Sequence, residues 1–444
     1  MDVNYLNEQV IFIPPPGALQ QISYWKIRRN LMKRKVLTMM MLLLSCTLTL
    51  WAGGNKEETA TSEPVVLNVW EHTPQFEPSL DATLQNFMQS NPDIRVEYEI
   101  KTPDKYYALL GTTIQAGEAP DLFWTNGTAT TDLGNLVKQG AVMDLTGSID
   151  LSPYSSMAKK MITIDGKVFL TPGATIGTRA VFYNKGIFKE NNISVPETFA
   201  DFEAILETLH KADILPLSFG GMFSWSILFH FEPILAAMAP DWLDEATAGT
   251  ARVDDPRVKA AFNKMLEWGD KGYYGPGYLG VDEGGQLLAF SKGESAMTIT
   301  GSWNADTLRK NNPDMEIGAF QIPTEDGRRP LVVTFSTGFC VSNDTDYPEE
   351  ALRLANYLAS VESQQIWVDN LKDVPGLDGV TTDDSLVKEI IASDIQVNSF
   401  YTILGDFAKP GSAPTQLWEQ DNVKLLSGKY TTDEFVDMLA KEMK

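Results

Sequence analysis

The sequence predicts an α/β fold spread over two domains' worth of chain. Three observations lead there. The chain has 444 residues, more than a single hydrophobic core usually serves. At 43% hydrophobic and 21% charged residues it has the composition of a globular protein, too apolar to stay disordered. Beyond about residue 64, short β-branched runs alternate with helical stretches, an order that implies parallel strands joined by right-handed crossovers.

The elements follow in order. Val65–Trp70 is a short apolar run, read as a buried strand with Trp70 in the core. Ser79–Met88 carries Leu80, Leu84, Phe87 and Met88 on one helical face, and Asn91-Pro92-Asp93 ends it. Ile94–Ile100 alternates apolar and charged residues, as a half-buried strand does. A helix from Pro103-Asp104 to Ile114 stops at Gly117, and Pro120–Trp124 forms the third strand. Asp165-Gly166 interrupts the alternating run Ile162–Leu170 as a two-residue hairpin turn. Ala180–Tyr183 and Pro216–Phe219 are further strands. Thr198 and Asp201 cap a helix running to Lys211. Asp255-Pro256 opens another, with Val258, Phe262, Met265 and Leu266 as its buried stripe. Ala296–Ile299 and Leu331–Ser342 read as strands, Pro348 opens a helix to about Ser360, and Thr431 with Glu434 caps the last one. No flexible linker separates the two halves, so the chain is expected to cross between lobes on strands.

The amino-terminal region carries an address. Met32-Lys33-Arg34-Lys35 precedes an apolar run from Val36 to Trp51, shorter than the ~20 residues a spanning helix needs. Residues 32–52 therefore read as a secretory signal peptide, and residues 1–31 as an over-called start outside the mature protein. Cleavage after Ala52 is the expected outcome. The alternative is a loose lipobox, Leu43-Leu44-Ser45-Cys46, which would make Cys46 a lipid anchor but leave apolar Thr47–Trp51 beside it. Either way the protein is expected outside the cytoplasmic membrane, in the periplasm or on the membrane's outer face.

Charge excludes whole classes of partner. The net charge is −23, and residues 1–52 hold six bases against two acids, which leaves −27 on the rest. So acidic a body repels phosphate backbones and anionic lipid surfaces, so no nucleic-acid partner is expected. Three His (His72, His210, His230) and two Cys (Cys46, Cys340) give no ligand set for a His/Cys metal centre and no disulfide framework. No cofactor and no metal are expected, and Cys340 reads as a packing residue.

Ligands of open α/β sheets bind beyond the carboxyl ends of the strands. Those tips repeat one pattern. Glu71, His72 and Gln75 follow the first strand; Trp124 ends the third, with Asn126 behind it. Phe223 and Trp225 follow the Pro216–Phe219 strand, and Ser302 and Trp303 follow Ile299. Most of these tips pair a ring with neutral or acidic hydrogen-bonding groups, and none offers a base. That mixture suits a sugar, whose C–H face stacks on a ring while its hydroxyl rim both donates and accepts. A phosphate would need Arg, Lys or a Gly-rich helix start. Any single Trp is more often core than platform, and Trp242, Trp268 and Trp367 are expected inside. Position alone leaves Trp124, Trp225 and Trp303 open between the two roles. Asp244/Glu245 and Asp254/Asp255 are adjacent acids explained by capping and solvation, and Tyr106-Tyr107 reads as packing. No nucleophile, metalloprotease or nucleotide-loop motif occurs in a suitable setting, so an enzyme is not expected.

Several motifs, in this order and spacing, resemble the extracellular solute-binding proteins of ABC sugar importers, the group that includes maltose-binding protein. They are Gly117-Glu-Ala-Pro-Asp-Leu-Phe-Trp124, Ala180-Val-Phe-Tyr-Asn-Lys-Gly-Ile-Phe188 with Pro196-Glu-Thr-Phe199, Phe290-Ser-Lys-Gly-Glu-Ser-Ala-Met-Thr-Ile-Thr-Gly-Ser-Trp303, and Leu425-Leu-Ser-Gly428. The resemblance covers nearly all of residues 64–444. It implies a two-lobe periplasmic-binding-protein fold, each lobe a mostly parallel sheet flanked by helices. Lobe 1 would hold 64–176 plus 338–388, and lobe 2 would hold 177–336 plus 389–444. Crossings near Gly173–Thr178 and Thr334–Gly338 would put Thr337 at the cleft floor. Trp124 and Trp303 match ring positions of the family, and Trp418 matches a stacking Trp of its last segment. The implied activity is capture of a sugar or short oligosaccharide by a monomer and delivery to the permease subunits of an ABC transporter. Maltose itself is disfavoured, because Gly127-Thr128 and Gly177 stand where the maltose-binding member carries charged residues. The rival expectations are a secreted glycoside-processing enzyme and a binder of a non-sugar solute, such as a polyamine or a glycerol phosphodiester.

Overall fold

A computed structural model describes residues 63–444, apart from 103–104, 127–131, 155–157, 160–161, 174 and 335–336. The side chains of Asn126 and Thr337 also fall outside the described set. The expected signal segment, both cleavage sites and Cys46 lie outside the described residues.

Twelve strands are described. In chain order they are β1 (Val65–Glu71), β2 (Ile94–Ile100), β3 (Leu122–Asn126), β4 (Thr163–Ile164), β5 (Lys167–Val168) and β6 (Gly177–Asn184). Then come β7 (Leu215–Ser218), β8 (Ser295–Gly301), β9 (Ile317–Phe320), β10 (Pro330–Thr334), β11 (Thr337–Val341) and β12 (Ile395–Asn398). They form two main sheets and the β4-β5 hairpin. The first sheet runs β11-β3-β1-β2; β1 is parallel to both β2 and β3, while β11 is antiparallel to β3. The second runs β12-β10-β6-β8-β7, with β9 also paired to β6.

Each sheet has its own core. Leu67, Val69, Phe123 and Val341 of the first pack with Leu84 and Leu354 of the flanking helices. Val181, Leu217, Ile299 and Val332 of the second pack with Phe202, Phe231, Phe262 and Trp268. Two sheets that each bury a face against helices make two lobes.

Local chemistry explains the element ends. The helix Tyr106–Ala116 stops where Gly117 turns left-handed, at φ 66°. Asp165 and Gly166 both have positive φ, 50° and 78°, as the tight turn between β4 and β5 requires. Thr198 with Asp201 and Thr431 with Glu434 form reciprocal capping boxes on the helices Phe199–Lys211 and Thr432–Glu442.

Four expectations need correction. The second sheet is mixed rather than mostly parallel: β6 runs antiparallel to β8, β9 and β10, whereas only β7-β8 and β10-β12 are parallel. The run Leu331–Ser342 is two strands in different sheets, since β10 ends at Thr334 and β11 opens at Thr337. The last part of 338–388 does not belong with the first sheet. Leu386, Val387 and Ile390 pack on Phe182, Phe290 and Ala319, and Glu389 binds Lys185 Nζ at 2.7 Å and the Ala319 N–H at 2.8 Å. Trp70, finally, is half-buried on the face opposite Leu67 and Val69, with Lys101 Nζ 4.0 Å above its ring.

The helix Ser224–Met238 has no separate reading in the sequence. It is buried from Ser226 to Ala237 and contains Pro233, so it lacks the polar stripe that marks an amphipathic helix.

Candidate functional site

The candidate residues gather in one cluster on each sheet, and the two sides come near each other at Asp132, Tyr107, Tyr401 and Glu419. On the first-sheet side, Glu71 ends β1 fully buried, and its carboxylate accepts the Thr73 N–H. His72 Nδ1 lies 3.5 Å from Glu71 Oε1. The imidazole packs 4.6 Å from the Trp124 ring, 4.5 Å from Tyr106 and 5.7 Å from Tyr107, centre to centre. Tyr106 is the structural member of its pair: it is buried, and its hydroxyl donates to the Trp124 carbonyl at 2.6 Å. Tyr107, one residue on, stays half-buried. Gln75 sits half-buried in a 3-10 turn, Pro74–Phe76. Phe76 in that turn, Trp124 and Trp367 line a cavity of about 30 Å³ together with Thr171, Gly338 and Gln364, enough for about two waters. Asn126 and Thr337 are paired in register at the sheet edge.

On the second-sheet side, Phe223 and Trp225 stand half-buried at the start of the helix Ser224–Met238. Trp225 packs 5.0 Å from the Tyr401 ring and 6.3 Å from Phe229. Trp303 lies in the 3-10 turn Ser302–Asn304 and meets Phe229 edge-on at 5.3 Å. Asn304 anchors that turn by donating to Thr300 Oγ1 at 2.9 Å and to Glu283 Oε1 at 3.1 Å. Burial pushes the Glu283 carboxyl upward.

Beneath these rings runs a buried ion pair. Arg179 and Glu232 are 3% and 1% exposed, with Nε–Oε2 at 3.0 Å. Glu232 Oε1 also accepts the Tyr401 N–H at 3.3 Å.

The two sides sense each other electrostatically. The Tyr401 hydroxyl donates to Glu419 Oε1 at 2.6 Å. Burial pushes both groups up, and the negative charge of Asp132, from the first-sheet side, pushes both further. Tyr107 adds to the same effect on Tyr401.

The crossings meet beside Ser302. The Ile176 N–H donates to the Val374 carbonyl at 3.0 Å, and Thr175 bridges Pro375. Asp373, the residue before Val374, is fully buried; its Oδ1 accepts the Val374 N–H at 2.8 Å. Burial pushes its carboxyl up to about 6, against the opposing pull of the Ser302 hydroxyl, the Val374 N–H and the Thr175 hydroxyl.

Of the residues singled out in the sequence, Glu71, His72 and Trp124 come together, with Glu71 fully buried and Trp124 buried in the first-sheet core. Gln75 lies in the turn just beyond them, and Phe223, Trp225 and Trp303 lie half-buried on the second-sheet side, where Ser302 is fully buried and so is corrected to a structural residue. Trp418 is a correction. It is 1% exposed, packed among Phe231, Phe262, Phe400 and Phe435. Its neighbour Glu419 takes the outward position instead, because consecutive helix residues point about 100° apart. Sequence reasoning did not single out Glu419, Tyr401, Asp132, Arg179 or Glu232; Tyr107, read as packing, lies half-buried against the first-sheet core. The available signal was an acid and a tyrosine within helices otherwise rich in apolar residues. Among the described residues, no group of three or more His, Cys, Asp or Glu is placed to hold a metal ion, and no helix is long and apolar enough to cross a membrane.

Two α/β lobes, each carrying rings and hydrogen-bonding groups near its strand ends, have the architecture of two-lobe binding proteins. Residues 82–393 match the family of bacterial extracellular solute-binding proteins, and the chain belongs to that family. The multiple sugar-binding protein of Streptococcus mutans is 23% identical over 336 residues, which is 74% of this chain and 79% of the relative. A solved chitin oligosaccharide binding protein superposes with a TM-score of 0.72 at 22% identity, covering 86% of this chain and 98% of its own. The solute-binding protein RafE in complex with raffinose gives 0.68 at 20% identity, covering 85% and 98%.

Proposed function

We propose that this protein captures a sugar or short oligosaccharide outside the cytoplasmic membrane and hands it to the permease of an ABC transporter. The observation that supports this reading is that Tyr401 and Glu419 on one side feel the charge of Asp132, and Tyr401 also that of Tyr107, on the other, with the half-buried rings of Trp225 and Trp303 near the first pair and His72 beside Tyr107. Rings take the C–H faces of the ligand, and carboxylates and hydroxyls take its hydroxyl rim. The sugar ligands of the relatives support the same class. Each lobe holds part of the contact set, so the ligand binds the closed form better than the open one and shifts the population by that difference.

Residues 64–176 and 338 to about 373 form the first lobe in this reading; 177–336 and the remainder form the second. The protein acts as a monomer with no catalytic step, released after Ala52 or anchored through Cys46. Calorimetry against mono- and oligosaccharides tests the reading, together with mass spectrometry of any ligand that co-purifies. Heat from at least one sugar is expected. Silence across the panel, or a co-purified polyamine, overturns it.

A further inference from the structure

Arg179 is a cation with almost no access to water. It sits on β6 directly opposite Gly301 of β8, so its side chain rises beside the turn that carries Trp303. Its guanidinium carbon lies 4.6 Å from the centre of the Phe229 ring and 5.4 Å from that of Trp303. Its Nη1 has no hydrogen-bond partner among the described residues, so ring faces occupy the place that oxygens usually take. Glu232 balances the charge and also accepts the Tyr401 N–H. One ion pair therefore touches three elements: the turn with Trp303, the helix with Phe229 and Trp225, and the helix start with Tyr401. A buried pair of this kind contributes little net stability over well-packed apolar residues. Its geometry accounts for it better: a planar fork has a defined orientation that an aliphatic side chain lacks.

We infer that Arg179, paired with Glu232, is a positioning residue for the ring face of the second lobe, holding Trp303 against Phe229 and fixing Tyr401 through Glu232. The inference rests on the carbohydrate reading only for its effect on affinity. Two measurements on the full mature protein separate the two claims.

The first needs no ligand. With 5-fluorotryptophan incorporated, the Trp303 resonance is assigned by its loss in W303F. In R179M/E232Q, which removes both charges together, that resonance is expected to shift or broaden while the core Trp268 resonance stays in place. A Trp303 resonance that stays in place in the folded double variant overturns the inference. Should the double variant fail to fold, R179K serves, since it keeps the charge and loses the planar fork.

The second is a double-mutant cycle by calorimetry with the tightest binder among raffinose, stachyose and chitobiose. R179M/E232Q should weaken binding about tenfold in the wild-type background and by less than about threefold in W303A. Equal losses in both backgrounds would mean a general structural role and overturn the inference. If W303A alone binds like wild type, or no sugar binds, the carbohydrate reading of this face fails, and the fluorine spectrum still decides the role of Arg179.

Discussion

The indole of Trp303 lies against the backbone of Gly301, two residues before it: a β-carbon at 301 would stand 2.2 Å from the nearest ring atom. Gly301 has an ordinary φ of −68°, so the glycine is required for space and not for backbone freedom. Gly177 completes the seat, with its β-carbon position 3.5 Å from the same ring. Gly301→Ala should therefore push the indole out of its seat. Sugar affinity is expected to fall about tenfold, at a stability cost of about 1–3 kcal/mol typical of overpacking. Calorimetry and thermal unfolding read the two effects separately.

Trp225→Ala should weaken binding by about 1–3 kcal/mol if the ring is a platform. Trp225 is half-buried at a helix start, so the same change should move the unfolding midpoint little. Unchanged affinity returns Trp225 to a packing role.

Trp418→Ala should behave in the opposite way. Emptying a site enclosed by Phe231, Phe262, Phe400 and Phe435 should cost about 3–5 kcal/mol of stability. The variant that remains folded at low temperature should bind sugar as the wild type does. A loss of affinity without a loss of stability contradicts the core assignment.

Asp373 sets a pH dependence of stability. Its folded carboxyl titrates at about 6, above the ordinary aspartate value of about 4 in an unfolded chain. The folded state therefore holds a proton that the unfolded state releases. The stabilising contribution is complete below pH ~4 and is lost as pH rises through about 6. Asp373→Asn, which keeps an acceptor for the Val374 N–H, should raise stability at pH 7.5 by about 1–3 kcal/mol and leave it nearly unchanged at pH 4. Denaturant melts at the two pH values check this.

Ionic strength distinguishes a neutral ligand from a polyamine. Affinity for a neutral sugar should change by less than about twofold between low and high salt, because no charge is neutralised on binding. A steep fall would identify a cationic ligand held by Asp132 and Glu419.

Much of the fold was legible because it rests on local chemistry. β2 falls on Ile94–Ile100, the span its alternation marks, and the Phe199–Lys211 helix lies where the Thr198/Asp201 box starts it and Lys211 ends it. The helix Ser224–Met238 was not legible, since burial on all sides removes periodicity. For the candidate site, strand tips can be read by position, which is why Glu71, His72, Trp124 and Trp303 were candidates. Tyr401, Glu419 and the Arg179–Glu232 pair are set by how a strand and helices far apart in sequence come together. Trp418 and Glu419 illustrate the limit: adjacent in the chain, one fills the interior and the other faces out, and a rotation of one residue separates them.

The bond from Ile176 to Val374 and the Thr175–Pro375 bridge lash two of the crossings into a single ribbon. A ribbon bends easily across its width and resists shearing along its length. The swing of one half against the other that the proposed capture requires would turn about this tie, which lies beside Ser302 and Asp373. In such a swing, small angular changes at the tie would become larger displacements at Trp225 and Tyr401.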